Sequence, residues 1–270
     1  MSLRAPALRI VSLAPHTTEL LFAVGAGDRV VGVSQYSDFP AAAQRLPQVG
    51  DAVRLDFEAI VALHPDLVVA WASALAPPQR MRLAQLGIPV FLSEPRELDD
   101  VARDLRALGE LTATRTTAQA AADQLTAEFA AARRQYAGLR PVSVFFQVWD
   151  PPLMTINGQQ LISAMLTLCG ARNIFAAEHL LAPTVDRESV VRADPELVLT
   201  GVRGADPKLA HGAFSRWAGL TRMQAVRHGR LIALDEDPLV RHGPRVALAV
   251  HSLCTAIDAV RSGSSAKTVP

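Results

Sequence analysis

Glu58 and Glu188 occupy the same place in two copies of one pattern. Residues 56–71 read DFEAIVALHPDLVVAW and residues 186–201 read DRESVVRADPELVLTG. The shared phrase is D-x-E-x-[IV]-V-x-x-x-P-[DE]-L-V-[VL]. Six identities and three conservative pairs over sixteen positions set it above chance. Each acid falls in the first turn of a short helix, where the helix N-terminus favours a carboxylate. Beyond that local role, two equivalent acidic knobs on two similar lobes suit a two-fold partner.

Aromatic side chains are scarce, with two Tyr and three Trp, so their placement carries weight. Tyr36 lies in the polar loop SQYSDFP after a strand. Trp71 ends the strand of the first repeat copy, and Trp149 ends the strand before DPP. All three fall at carboxyl ends of predicted strands, where open α/β sheets bind ligands. Asp237 and Arg241 follow another strand, in EDPLVRHGPR. Their spacing allows them either to pair with each other or to hold polar groups of a ligand. His16, beside Pro15 after the first strand, is either a hydrogen-bonded loop histidine or a metal ligand. Cys169 and Cys254 are either two buried thiols or one long-range disulfide, and without matching histidines they make no zinc site. The chain contains no G-x-S-x-G, no G-x-x-x-x-G-K-[ST], no H-E-x-x-H and no G-x-G-x-x-G after a strand, so these catalytic patterns are missing. Gly25 and Gly27 follow a helix and read as a C-cap turn.

The elements that must position these residues alternate. Short apolar runs predict strands over 9–14, 30–33, 67–71 and 90–92. Helices are predicted over 16–24, with Thr17 or Thr18 as N-cap, and over 57–63 and 78–86. Residues 98–136 are rich in Ala, Leu, Gln, Glu and Arg, with Gly109 as the main breaker. They read as two helices, the second over 116–135 and on the order of 30 Å long. That is more than a βα crossover needs and enough to join two lobes. Alternation resumes at Pro141, with strands over 142–149, 197–200 and 231–234 and helices over 159–169, 189–191, 214–223 and 245–260. The fold class is α/β: two similar lobes over 1–113 and 139–262, a linking helix over 114–138, and a small polar flexible tail over 263–270.

A chain of 270 residues, half of them hydrophobic, can bury two cores. A formal net charge of +1 argues against nucleic acid or a membrane surface as partner. No run of 18 apolar residues is free of charge, so no membrane-spanning helix is expected. Residues 1–7 lack the apolar core and cleavage site of an export signal.

Three stretches carry a resemblance: RIVSLAPHTTELLFAVG, VGVSQYSDFP and EAIVALHPDLVVAW. They resemble the periplasmic substrate-binding proteins of iron–siderophore, haem and cobalamin ABC importers, nearest the cobalamin branch, from residue 9 to about residue 259. The resemblance implies a helical-backbone (class III) binding protein with its ligand in the cleft between lobes. It implies a periplasmic or extracytoplasmic monomer, with its signal segment outside this sequence. Such a protein is not an enzyme and has no cofactor of its own. Its cargo would be a corrinoid, with haem or a ferric siderophore as the alternative, delivered to an ABC permease dimer with its ATPase subunits. Matched by motif, Tyr36, Trp71, Asp237 and Arg241 line the cleft, and Trp149 adds aromatic surface. Glu58 and Glu188 dock on the permease, and Cys169 and Cys254 form a disulfide. Two departures stand out. Ala52 and Ala182 replace a Trp that the cobalamin branch carries in each lobe. His16 replaces a small residue beside the cleft, where it could reach the metal of a ligand from one side. The rival from another class is a cytosolic α/β enzyme acting on a tetrapyrrole or nucleotide.

Overall fold

Pro15 starts the first helix, because its ring fixes a helical φ and its missing N–H costs nothing there. In the computed structural model, which describes residues 3–51 and 54–263, strand β1 (Ile10–Ser12) leads directly into α1 (Pro15–Ala23). The helix begins before the Thr17 or Thr18 cap expected from sequence. Ala14 is the N-cap, with no side-chain bond, and both threonines are buried inside the helix. Their hydroxyls donate back to Ala14 O at 2.8 and 3.2 Å. The chain continues through β2 (Val30–Val33), α2 (Phe57–Ala62), β3 (Leu67–Trp71), α3 (Pro77–Gln85), β4 (Val90–Ser93) and α4 (Leu98–Leu111). Helix α5 (Arg115–Tyr136) follows, 22 residues or about 33 Å long. Gly109 does not break α4. A Cβ there would lie 2.3 Å from Ala118 Cβ, so glycine lets α5 approach. The break comes at Ala113, with φ 51°.

The chain divides into two compact units, Met1–Ala127 and Glu128–Pro270, with the division inside α5. In unit one the four strands are all parallel, in the order β2-β1-β3-β4. Val11, Val68, Ala70, Ile60 and Leu83 are buried together in its core. Burial on both faces explains why the central strands read as unbroken apolar runs.

Unit two contains β5 (Val142–Gln147), α6 (Leu161–Leu168), β6 (Ala171–Asn173), α7 (Arg187–Ala193), β7 (Leu197–Val202), α8 (Pro207–Phe214), α9 (Gln224–Arg227), β8 (Leu231–Asp235), α10 (Glu236–Val240) and α11 (Val246–Arg261). Its strands are parallel in the order β6-β5-β7-β8, the same permutation as in unit one. Strand β6 escapes a sequence reading because it is three residues long and exposes Arg172. The helix expected over 214–223 does not form. Asp206 accepts Lys208 N–H at 2.7 Å and, with Pro207, starts α8 earlier. Gly219, at φ 83°, then interrupts the segment. Trp217 is fully buried there, and its indole N–H donates to Gln147 Oε1 at 2.7 Å.

Cys169, the C-cap of α6, and Cys254, in α11, form a disulfide across 85 residues. Arg261 closes the same corner by donating to Cys169 O at 2.9 Å and Arg140 O at 3.0 Å. The tail expected over 263–270 lies, apart from Gly263, outside the described residues.

The doubled phrase occupies one slot in each unit and does the same mechanical work. Asp56 caps α2 by accepting Ala59 N–H at 2.9 Å, and Asp186 caps α7 by accepting Ser189 N–H at 2.6 Å. Each helix stops on a left-handed residue before proline: His64 at φ 47° and Asp194 at φ 43°. The acid after that proline ties down the neighbouring strand. Asp66 accepts the N–H groups of Leu8 and Arg9 at 2.8 and 3.0 Å. Glu196 accepts that of Ser143 at 3.0 Å. Burial pushes the Glu196 carboxyl up, but hydrogen bonds from Ser143 and Arg140 outweigh it and hold the group below the usual range.

Candidate functional site

In a parallel sheet every strand delivers its last side chain to one edge. In unit one this edge presents, in sheet order, Tyr36, His16, Trp71 and Glu94. Beneath them lies a buried hydroxyl chain. Ser12 Oγ meets Thr17 Oγ1 at 2.7 Å, and Thr18 Oγ1 lies 2.8 Å from Ser12 Oγ and 3.1 Å from Ser37 Oγ. This chain satisfies the polar groups where β1 and β2 end. Tyr36 stands above it in a left-handed turn, φ 65°, and is 62% exposed. Its ring is thereby open to contact from solvent at the strand ends.

Trp71 is the last residue of β3 and is half-buried. Its indole N–H donates to Glu94 Oε1 at 3.3 Å. Its ring meets the His16 ring at 5.7 Å, T-shaped at 87°. His16 is only 5% exposed and sits in the first turn of α1, not in a loop. A small hollow beside Trp71 is lined by Leu13, Leu55, Ala70, Leu75, Asp51 and Gln79, among others. At the end of β4, Ser93 donates to Asp104 at 2.6 Å. Burial pushes the Asp104 carboxyl up to about 6, against the Ser93 hydrogen bond that lowers it.

The corresponding edge of unit two is built from ion pairs. Trp149 lies two residues beyond β5, is 62% exposed, and donates its indole N–H to Pro151 O at 2.9 Å. Asp150 receives a two-pronged bond from Arg216, with Nη2 at 2.6 Å from Oδ1 and Nε on Oδ2. The hydrogen bonds it donates to Asp150 raise the Arg216 guanidinium above its ordinary value, and the nearby Glu188 charge adds to this. After β8 the chain turns directly into α10. Asp237 and Arg241 are paired there, one helical turn apart at 3.1 Å, with Arg241 buried. Burial, then the charge of Asp237, raises the Glu236 carboxyl.

The structure therefore places Tyr36, His16 and Trp71 along one edge of unit one. It places Trp149, Asp237 and Arg241 at the equivalent edge of unit two. Glu58 and Glu188 are carried by helices and not by strand ends. Both are exposed in the first turns of α2 and α7. Ala182 is exposed, and Ala52 lies outside the described residues. Sequence reasoning passed over Glu94, Asp150 and Arg216. The same strand-end logic would have reached Glu94, which follows β4 directly; the Arg216–Asp150 pair spans 66 residues and leaves no local signal. Among the described residues, no group of three or more His, Cys, Asp or Glu could hold a metal ion. No helix among them is long and apolar enough to cross a membrane.

Comparison with known proteins finds relatives in sequence and in fold. Residues 10–238 match the family described as periplasmic binding protein. The chain is 36% identical over 257 residues to the vitamin B12-binding protein of Photorhabdus laumondii, covering 95% of this chain and 90% of that protein. Its fold superposes on the crystal structure of the periplasmic vitamin B12 binding protein of Vibrio cholerae with a TM-score of 0.87, at 34% identity and over 95% and 98% of the two chains. It also superposes on a periplasmic heme-binding protein from Roseiflexus sp. RS-1 with a TM-score of 0.82, at 28% identity and over 94% and 98% of the two chains.

Proposed function

The chain belongs to the periplasmic binding protein family, and we propose from that premise that it is the extracytoplasmic substrate-binding component of an ABC importer whose cargo is a corrinoid of the vitamin B12 kind. What carries this reading is the pair of aromatics, Tyr36 and Trp149, each 62% exposed at the strand ends of its own unit, in a chain 36% identical to a vitamin B12-binding protein over nearly its whole length. Exposed aromatic faces suit a flat macrocycle, and each adds roughly 0.5–1.5 kcal/mol beyond simple area burial. Asp237 and Arg241 would offer polar groups to the cargo's periphery while neutralising each other. No bond is made or broken, and the macrocycle is cargo, not cofactor.

Glu58 and Glu188 would dock on the permease, one acid to each half of a two-fold partner. Their side chains are exposed in the first turns of helices capped in the same way, so both are open to a partner. Such rim charges act mainly on orientation and on-rate.

A second reading, haem as cargo, is favoured by one observation: His16, buried against Trp71, lies at the edge where it could meet a ligand's metal. The test is titration of the purified protein with cyanocobalamin, cobinamide, hemin and a ferric siderophore, followed by absorbance. The corrinoids should bind most tightly. Hemin binding tightest, with a Soret shift abolished by His16→Ala, would replace the first reading with the second. Failure of all four would sink both.

A further inference from the structure

We propose that Glu94 is a positioning residue, holding the Trp71 indole in the plane on which a flat macrocycle stacks. The inference rests on the reading of Trp71 as a ligand contact. Glu94 is the first residue after β4, and β4 lies beside β3 in the sheet. Its carboxylate divides its two oxygens between two tasks. Oε1 accepts the indole N–H of Trp71 at 3.3 Å. Oε2 accepts both the backbone N–H and the hydroxyl of Ser73, each at 2.7 Å. The backbone completes the closure, with Ala72 N–H donating to Ser93 O at 3.0 Å. One side chain thus fastens the ends of two adjacent strands and takes up the only polar atom of the indole.

The indole is held on another side too. His16 meets it T-shaped at 5.7 Å and is 5% exposed, so it has little room to yield. Indole N–H is a donor only, and an ionised carboxylate is its strongest class of acceptor. A ring gripped at its N–H and wedged by a buried imidazole is ordered before any ligand arrives. It then loses little rotamer freedom on binding, and that saving appears as affinity. Glu94 needs no contact with the ligand to do this.

The test uses the full chain, with cyanocobalamin and hemin as probes and near-UV circular dichroism as a ligand-free report on the indole. Glu94→Ala should alter the aromatic dichroism and weaken the tighter-binding probe about three- to tenfold, the range expected from freeing one large side chain. Both effects should vanish in a Trp71→Phe background, because phenylalanine has no N–H to hold. Glu94→Gln, which keeps a carbonyl acceptor, should restore most of both. Equal weakening by Glu94→Ala in the two backgrounds would show that it acts through the Ser73 turn, and would overturn the inference. So would an unchanged spectrum with unchanged affinity. Should Glu94→Ala fail to fold, Glu94→Asp, whose shorter arm leaves the indole N–H out of reach, makes the same comparison. Probe binding undiminished in Trp71→Ala would remove Trp71 from the ligand site and take the inference with it. Weakening by Trp71→Ala together with a neutral Glu94→Ala would overturn the inference alone.

Discussion

The two units share one topology and one doubled phrase, yet the fifth residue of the strand after that phrase is Trp71 in β3 and Gly201 in β7. The difference has a packing cause. In unit two, β8 runs straight into α10, and a Cβ on Gly201 would stand 3.3 Å from the Cα of Glu236. In unit one, four residues from Glu94 to Glu97 separate β4 from α4, so the same slot is open and holds an indole. The repeat therefore preserves what builds the sheet: the cap, the left-handed stop and the strand-tying acid. It leaves the strand ends free to diverge. One edge became aromatic and hydroxyl-rich, and the other became a set of ion pairs around an exposed Trp149.

The disulfide offers the largest way to break the comparison, because it belongs to unit two alone. Replacing Cys169 and Cys254 by Ala should cost unit two about 2–5 kcal/mol. Hydrogen exchange during denaturant unfolding should show unit two opening first and unit one nearly unaffected. Equal loss in both would mean that they unfold as one body.

The acids proposed to dock on a permease come next. Reversing Glu58 and Glu188 to Lys together should leave cyanocobalamin affinity unchanged. It should abolish stimulation of the cognate permease in liposomes, since breaking a close interfacial charge pair costs roughly 2–5 kcal/mol. Loss of ligand affinity instead would confine the two acids to local helix chemistry. The single variants sharpen the comparison, because Glu188 lies near Arg216 and its charge is partly answered within its own unit.

Asp104 separates the units by pH. Its folded carboxyl is raised to about 6 from 3.8, mainly by burial. A raised carboxyl holds its proton more tightly when folded. Its contribution to stability is therefore full below about pH 4 and is lost as pH rises through about 6. At about 1.4 kcal/mol per pH unit this amounts to roughly 1–3 kcal/mol. Asp104→Asn should raise the denaturation midpoint of unit one at pH 8 and flatten its rise on acidification from pH 7 to pH 5. An unchanged profile would show that burial at this site is relieved by solvent.

The smallest test puts one residue into both slots. Gly201→Val should destabilise by about 1–3 kcal/mol through overpacking against α10. Trp71→Val, at a half-open edge, should cost less in thermal stability while weakening the macrocycle. Equal thermal costs would remove the packing explanation for the difference.

Much of the frame was legible. Val30–Val33 and Leu67–Trp71 match the predicted strands residue for residue, because buried parallel strands are written as local apolar runs. The second unit was harder between residues 203 and 245. Asp206 capping, Gly219 and a helix of five residues redistribute the segment in ways that periodicity does not register. For candidate site residues, the strand-end rule pointed to Tyr36, Trp71 and Trp149, and the structure puts all three at or just beyond strand ends. The rule stopped at the aromatic itself and did not reach the carboxylate that holds it.

By itself the sequence determined the alternation of strands and helices, the two-unit plan and the equivalence of Glu58 with Glu188. All of these depend on interactions within a few residues: a cap, a proline, an apolar run. The Cys169–Cys254 pairing entered by resemblance, and the bond itself joins residues 85 apart. Only the tertiary structure decided that Glu94 grips Trp71 across 23 residues, that Arg216 reaches Asp150 across 66, and that His16 is buried. Which strand lies beside which, and therefore which side chains meet at an edge, depends on the packing of whole elements and leaves no trace in the residues next to each partner.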